Sequence, residues 1–163
     1  MDRLISSWQK IGDSVDSYTY YSYDDMGRAY RSDFRLMGTA GGTLTQSYEH
    51  TYDALDGSLE RIDVNASGIT QERLLYLYDT LKRLNRKTLS RGVEYLDYYY
   101  NYKPLENGRK SNLVSEYSVY LNYGMTHLLA YTYDAVGNIT KITNNGSTVA
   151  EYTYDEQNQL TIF

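Results

Sequence analysis

Apolar and polar positions alternate along most of this chain in short runs, and each run stops at a cluster of Asp, Asn or Gly. In Tyr131-Thr-Tyr133-Asp134 the two rings lie two residues apart, on one face of an extended strand, while Thr132 and Asp134 point to the other. A second short run, Ile139-Thr-Lys-Ile142, follows, and Asn144-Asn145-Gly146-Ser147 then marks a tight hairpin before Thr148 to Tyr154 leads into the next Tyr-Asp. The pattern predicts an all-β chain, an antiparallel meander in which a unit is strand, Asp-Gly turn, strand and loop. Two features sit less simply. Leu4, Ile5, Trp8 and Ile11 fall at helical spacing and offer a short N-terminal helix as the competing reading. Leu59 and Ile62, like Ile139 and Ile142, are three apart, so either a bulge follows each turn or both faces are partly covered.

The strand ends repeat. Tyr21-Ser-Tyr23-Asp24, Tyr76-Leu-Tyr78-Asp79, Tyr131-Thr-Tyr133-Asp134 and Tyr152-Thr-Tyr154-Asp155 share one form, and His50-Thr-Tyr52-Asp53 differs at its first ring. Successive Asp positions are 29, 26, 55 and 21 residues apart, and the long gap holds a degenerate unit at Tyr98-Tyr99-Tyr100-Asn101. Such periods mark architectures built from one supersecondary element stacked in series. The chain therefore reads as a single array over 1–163 of about six units, with residues 1–17 as a lead-in, the degenerate unit near 95–116 and the last unit truncated at 163. An Asp at the first turn position and a Gly at the fourth, as in Asp24 with Gly27 and Asp134 with Gly137, fit a type I turn capped by the carboxylate, with positive φ at the Gly. Asn158 replaces Gly after Asp155, Asp53 to Gly57 is one residue longer, and Asp79-Thr80-Leu81-Lys82 has no Gly. The last two turns are expected to differ locally.

Composition narrows the function classes. There are 21 Tyr against 2 Phe, 1 Trp and 1 Pro, so aromatic area comes from rings with a hydroxyl, suited to half-buried sheet surfaces. A net charge of -5 argues against nucleic-acid binding, which needs a surplus of Lys and Arg. The absence of Cys removes disulfides and thiolate metal sites. No signal peptide opens the chain and no apolar run is long enough to span a bilayer.

Candidate chemistry is sparse. Asp residues that recur with the fold's own period form turns, and nothing marks two carboxylates as a glycosidase pair. Asp53, Asp56, Glu60 and Asp63 lack the alternating ligands of a calcium loop, and His50 and His127 stand too far apart in sequence to propose a metal. No metal, cofactor or catalytic residue is assigned. Lys82, Arg83, Arg86, Lys87 and Arg91 read as a solvated strand face bridged to nearby acids. Tyr98, Tyr99, Tyr100 and Tyr102, with Tyr95, form the densest aromatic cluster, with Tyr98, Tyr100 and Tyr102 on one face. They are either a cross-strand ladder or a surface that stacks on glycan.

The string Tyr-x-Tyr-Asp-x-x-Gly-Arg/Asn, in Tyr21 to Arg28 and Tyr131 to Asn138, with a hydrophobic strand and a return to Tyr-x-Tyr-Asp, resembles the YD-repeat or RHS-repeat family from about Tyr18 to the C-terminus. The resemblance implies a spiralling, open sheet that is a segment of a hollow β-shell. It also implies a secreted or cell-surface setting, as in bacterial polymorphic-toxin and wall-associated proteins and the teneurins, with a toxin domain enclosed in bacterial members and carbohydrate binding often proposed. The family's Pro- and Asp-containing segment near its self-cleavage site has no match here, since Pro104 lies in the degenerate unit, and no toxin-like tail follows. The expected role is structural and not enzymatic. The expected partners are further YD repeats, or a second copy paired through sheet edges, and an enclosed toxin domain or glycan. Gly137→Val is expected to be damaging if the turn assignment holds.

Overall fold

The computed structural model describes residues 3–11, 14–36, 43–105 and 110–162. Among them every regular element is a strand: β1 (Ser6–Ile11), β2 (Ser14–Tyr23), β3 (Ala29–Leu36), β4 (Thr43–Tyr52), β5 (Leu59–Ala66), β6 (Ile69–Tyr78), β7 (Leu84–Arg91), β8 (Glu94–Pro104), β9 (Lys110–Leu121), β10 (Gly124–Tyr133), β11 (Ile139–Asn144), β12 (Ser147–Glu151), β13 (Thr153–Tyr154) and β14 (Leu160–Ile162). The strands β1 to β12 pair in chain order in one antiparallel meander, and β13 with β14 forms a separate pair. Two compact units divide the chain, Met1–Tyr76 with Leu89–Val93, and Leu77–Thr88 with Glu94–Phe163. The N-terminal helix is not formed. Ser6–Ile11 is a strand with Trp8 opposite Tyr18, because a helix this short is marginal alone whereas β2 offers it a full ladder.

One bulge follows the Asp turns. Tyr133 pairs with Ile139 and Thr132 with Lys141, so Thr140 is the extra residue. Tyr30, Glu60, Ser115 and Thr161 take the same place in β3, β5, β9 and β14. The bulge resolves the three-residue spacing: Ile139 and Ile142 stand opposite Tyr133 and Tyr131 on one face of their hairpin, and Leu59 and Ile62 opposite Tyr52 and His50 on one face of theirs. A second bulge interrupts the strands that run toward the Asp turns. At two of these the extra residue is a Thr whose hydroxyl donates to the facing carbonyl, Thr45 to Phe34 and Thr126 to Val119, each at 3.0 Å. The far turns are two-residue reversals with positive φ at both positions in Ser67-Gly68, Asn122-Tyr123 and Asn145-Gly146.

Burial is inverted relative to an ordinary domain. Among the described residues Val64 is the one buried apolar side chain, while Ser17, Ser47, Asp63, Thr88, Asp97 and Ser118 are buried polar ones. In the first unit the face with Tyr23 and Tyr52 carries half-buried rings and aliphatics. The other carries ion pairs, such as Arg31 with Asp33 (2.7 Å) and Glu49 (2.6 Å), and Asp63 with Arg73 (2.6 Å) and Arg61 (3.0 Å). These elements are held mainly by ladder bonds and cross-strand pairs, because little apolar area is fully removed from water.

Candidate functional site

The features that recur most regularly lie along the edge of Asp turns. Each Asp draws in backbone amides. The Asp134 Oδ1 accepts from the amides of Val136 (3.0 Å), Gly137 (2.8 Å) and Asn138 (2.9 Å), and Oδ2 accepts from the Asn138 side-chain amide at 2.9 Å. In the Asp24 turn Arg28 supplies both contacts, its amide to Oδ1 (2.8 Å) and its Nε to Oδ2 (2.7 Å). Asp79 and Arg83 repeat the arrangement, with Nε at 2.8 Å. Asp155 receives the amides of Gln157 (2.9 Å) and Gln159 (2.8 Å), and Asp53 those of Leu55 (2.8 Å) and Asp56 (2.9 Å). The residue that closes each turn has positive φ throughout, at the fourth position in Gly27, Lys82, Gly137 and Asn158 and at the fifth in Gly57. The turn at Asp79, expected to differ for want of Gly, keeps the common backbone, since Lys82 accepts φ 61° and its amide still donates to the Asp79 carbonyl at 3.0 Å. The Asp53 turn does differ, closing one residue later through Ser58.

A bond between units, which the sequence reading did not contain, accompanies each of five motif rings. The Tyr just before the Asp donates its hydroxyl to a carbonyl beside the preceding turn: Tyr23 to Leu4 (2.6 Å), Tyr52 to Ala29 (2.8 Å), Tyr102 to Leu84 (2.8 Å), Tyr133 to Val114 (2.6 Å) and Tyr154 to Ile139 (2.9 Å). Ala29, Leu84 and Ile139 are each the fifth residue after their Asp. In three of the five, the residue before that carbonyl also caps the ring. Arg28 lies over Tyr52 at 4.5 Å, Arg83 over Tyr102 at 3.9 Å and Arg3 over Tyr23 at 5.6 Å. Arg28 and Arg83 thus tie the carboxylate of their own turn to the ring of the next. Tyr52→Phe removes one such bond, the hydroxyl donor to the Ala29 carbonyl, so a loss of about 1 kcal/mol in urea unfolding is expected. A smaller loss than with the same change at Tyr20, whose ring is more than half exposed, would remove the ladder.

This ladder also assigns the degenerate unit. Tyr102, not Tyr100, holds the place before the turn, because it pairs with Val114, donates to Leu84 and carries the following bulge. Lys103 therefore stands where other units have Asp, and its amine lies 5.6 Å from the Tyr133 ring. Of the first rings of the motif, Tyr21 faces Ser32 and Tyr131 faces Ile142, Tyr76 is half-buried in β6, and the Tyr152 amide donates to Thr140 at 2.9 Å. His50 holds that place in its unit, its ring stacked 6.4 Å from Tyr52.

The cluster singled out for glycan is half-buried and engaged. Tyr98 and Tyr100 lie 6.2 and 5.3 Å from Tyr117, Tyr99 packs edge-on to Tyr120 at 5.4 Å, and Tyr102 is held as above. Tyr95 meets the exposed Tyr123 at 6.1 Å on the other face. The basic stretch is dispersed as well: Arg83 binds Asp79 and the Ser111 carbonyl, Arg86 binds Asp97, Lys87 lies over Tyr98 and Arg91 faces Glu72. Of the acids that bear on a calcium loop, Asp53 and Asp56 cap turn amides and Asp63 pairs with arginines. Asn residues do for the far turns what Tyr does for the near ones. The Oδ1 atoms of Asn122 and Asn145 each accept, at 2.9 Å, an amide of an earlier strand, from Tyr95 and Leu128.

The turn geometry has a pH signature. At Asp79 the Arg83 side chain, and at Asp24 and Asp134 the neighbouring amides and side chains acting against partial burial, hold the carboxyls below the ordinary range. The unfolded chain therefore takes up these protons first. Their contribution is complete above the ordinary carboxylate range and is lost as pH falls through the folded values, so the melting temperature should drop below about pH 4, and less so in Asp134→Asn. Burial lowers His50 in the same sense. Its contribution is present above about pH 6.5 and lost on acidification, and His50→Tyr, which restores the repeat residue, should abolish that part of the profile.

Residues 133–162, which span the last two Asp turns, match the family model described as RHS Repeat. Among solved structures the fold is similar to the crystal structure of TcdB2-TccC3-Cdc42, with a TM-score of 0.66 at 20% identity over 91% of this chain and 7% of that one. It is similar also to the Photorhabdus luminescens Tc holotoxin pore bearing a TccC3 mutation, at 0.62 and 22% over 88% of this chain and 6% of that one. No curated protein matches the chain. At these identities the likeness is one of fold, and the chain spans less than a tenth of the length of either protein. One repeat, residues 133–162, is thus matched directly as an RHS repeat, and the turns at Asp24, Asp53 and Asp155 share with Asp134 the Asp cap, the following bulge and the Tyr bond, so the chain is built of units similar to that repeat.

Proposed function

We propose that the chain is a wall segment of a larger hollow β-shell in a secreted or cell-surface protein, enclosing a toxin polypeptide, and that its role is structural. The observation that carries this reading is the unit-to-unit ladder of Tyr hydroxyls on carbonyls, together with the near absence of buried apolar side chains among the described residues. A catalytic domain holds a site by packing around it. Here the recurrent chemistry is spent on fixing each unit to its predecessor, which is what a wall requires. Among the described residues no helix is long and apolar enough to cross a membrane. The strands β1 and β12 end the sheet order, and β1 shows Trp8 at 66% exposure, so both present edges that template pairing with another strand. Light scattering across a wide concentration range tests this. The expected mass rises with concentration, and a monomer mass at every concentration would overturn the reading.

A further inference from the structure

Two of the far turns put Gly at their second position, Gly68 at φ +78° and Gly146 at φ +83°. The turn between β9 and β10 puts Tyr123 there, at φ +68°, a conformation that an aromatic residue adopts only at a cost. Burial does not offset that cost, because the ring is 81% exposed. It stands instead beside Tyr95, with centroids 6.1 Å apart and ring planes inclined by 37°. The pair is fixed from beneath: the Tyr95 amide donates to Asn122 Oδ1 and the Asn122 amide donates to the Tyr95 carbonyl, each at 2.9 Å. Tyr95 is exposed as well, and neither hydroxyl has a partner among the described residues. The other Tyr pairs differ. Both rings are half-buried in Tyr98 with Tyr117, Tyr100 with Tyr117 and Tyr99 with Tyr120, and one is in Tyr18 with Tyr20.

We propose that Tyr95 and Tyr123 are a site of oxidative coupling, joined ring to ring by a one-electron oxidant, a haem peroxidase acting with hydrogen peroxide. Each phenol gives up one electron and one proton, and the two phenoxyl radicals form a carbon–carbon bond between positions ortho to their hydroxyls. The hydrogens on those carbons move to the oxygens, which restores both rings as phenols. The pair loses two hydrogens in all, and one peroxide takes them up as two waters. Exposure gives the oxidant access, and the open side of Tyr123 lets its ring swing the remaining distance. The bond clips the start of β8 to the turn between β9 and β10, 28 residues on (123 minus 95), in a chain with no Cys for a disulfide. Like a disulfide, it restricts the unfolded chain.

The full chain at low concentration, treated with a haem peroxidase and one equivalent of peroxide, tests this. The expected product is a monomer lighter by two hydrogens, with biphenol fluorescence. Trypsin cuts at Arg109 and Lys110, between the two rings, and fragmentation of the linked peptides should place the bond at Tyr95 and Tyr123. The melting temperature should rise by roughly 5–10 °C. Tyr95→Phe and Tyr123→Phe keep the packed ring, yet each should lose the product, whereas Tyr99→Phe should keep it. The proposal is overturned if the bond falls on Tyr99 and Tyr120 or another pair, if the product is a covalent dimer, or if Tyr123→Phe yields as much as the parent. It is overturned too if nothing forms while free N-acetyltyrosine in the same mixture is coupled.

Discussion

Gly137→Val is expected to destabilise the chain by about 2 kcal/mol, a fall in melting temperature of roughly 4–8 °C at this size. Gly137 sits at φ +99° in the turn where Asp134 gathers three amides, and the nearest atom to an added Cβ is a Leu113 methyl carbon at 3.8 Å. Space is therefore not the obstacle. The cost is conformational, because a β-branched residue resists positive φ and the turn must either hold strain or release the Asp134 amides. The comparison that isolates this term is Lys82→Gly. Lys82 already occupies the equivalent place at φ +61°, and relief of its strain offsets the greater freedom of Gly in the unfolded chain. That variant should melt at or slightly above the parent temperature, and a Val variant that melted unchanged would remove the turn assignment.

The same two positions show how far the sequence could be read. Tyr-Asp before a Gly was legible as a strand end and a turn because both signals are local. Asn145-Gly146 was legible for the same reason, and the structure gives it φ +48° and +83°. Lys82 was misjudged because the absence of Gly looked like a locally different turn, when the Asp79 cap and the Arg83 clamp hold a non-Gly residue in the same conformation. The bulges were visible only as a contradiction, Ile139 and Ile142 three apart, which two geometries satisfied equally. Leu4, Ile5 and Trp8 kept a helical spacing that pairing with β2 overrode. The Tyr ladder was out of reach, since its partners stand 15 to 23 residues apart in sequence, and one of them is a backbone carbonyl that no residue type announces. Arg28 and Arg83 did leave a trace, an Arg four residues after the Asp, but the trace gave no sign that the same side chain also covers the next ring.

The polar face makes the other large effect. Asp97 is only 4% exposed, and its Oδ1 accepts from Thr88 Oγ1 at 2.5 Å and from Arg86 Nη2 and Nε at 2.9 and 3.1 Å. Asp97→Ala would leave Thr88 buried without an acceptor and the Arg86 charge, one-third exposed, without its counterion. Breaking a buried pair by removing one partner costs about 3–5 kcal/mol, and the partial exposure of Arg86 sets the expected loss at the lower end, near ~3 kcal/mol in urea unfolding. Removing both charges is a different experiment. In Asp97→Leu with Arg86→Met no ion is left desolvated, the Met can lie on the Tyr99 ring that Arg86 now covers at 5.1 Å, and most of the loss should be recovered. The Lys141 and Glu151 pair, at 2.8 Å but largely in water, supplies the contrast, with a loss within about 0.5 kcal/mol for Glu151→Ala. If Asp97→Ala costs no more than Glu151→Ala, the polar face is a solvated surface and contributes nothing to holding the strands in register. A large single loss restored by the double variant would establish that the buried carboxylates fix the strands from one face while the Tyr bonds fix them along the turn edge.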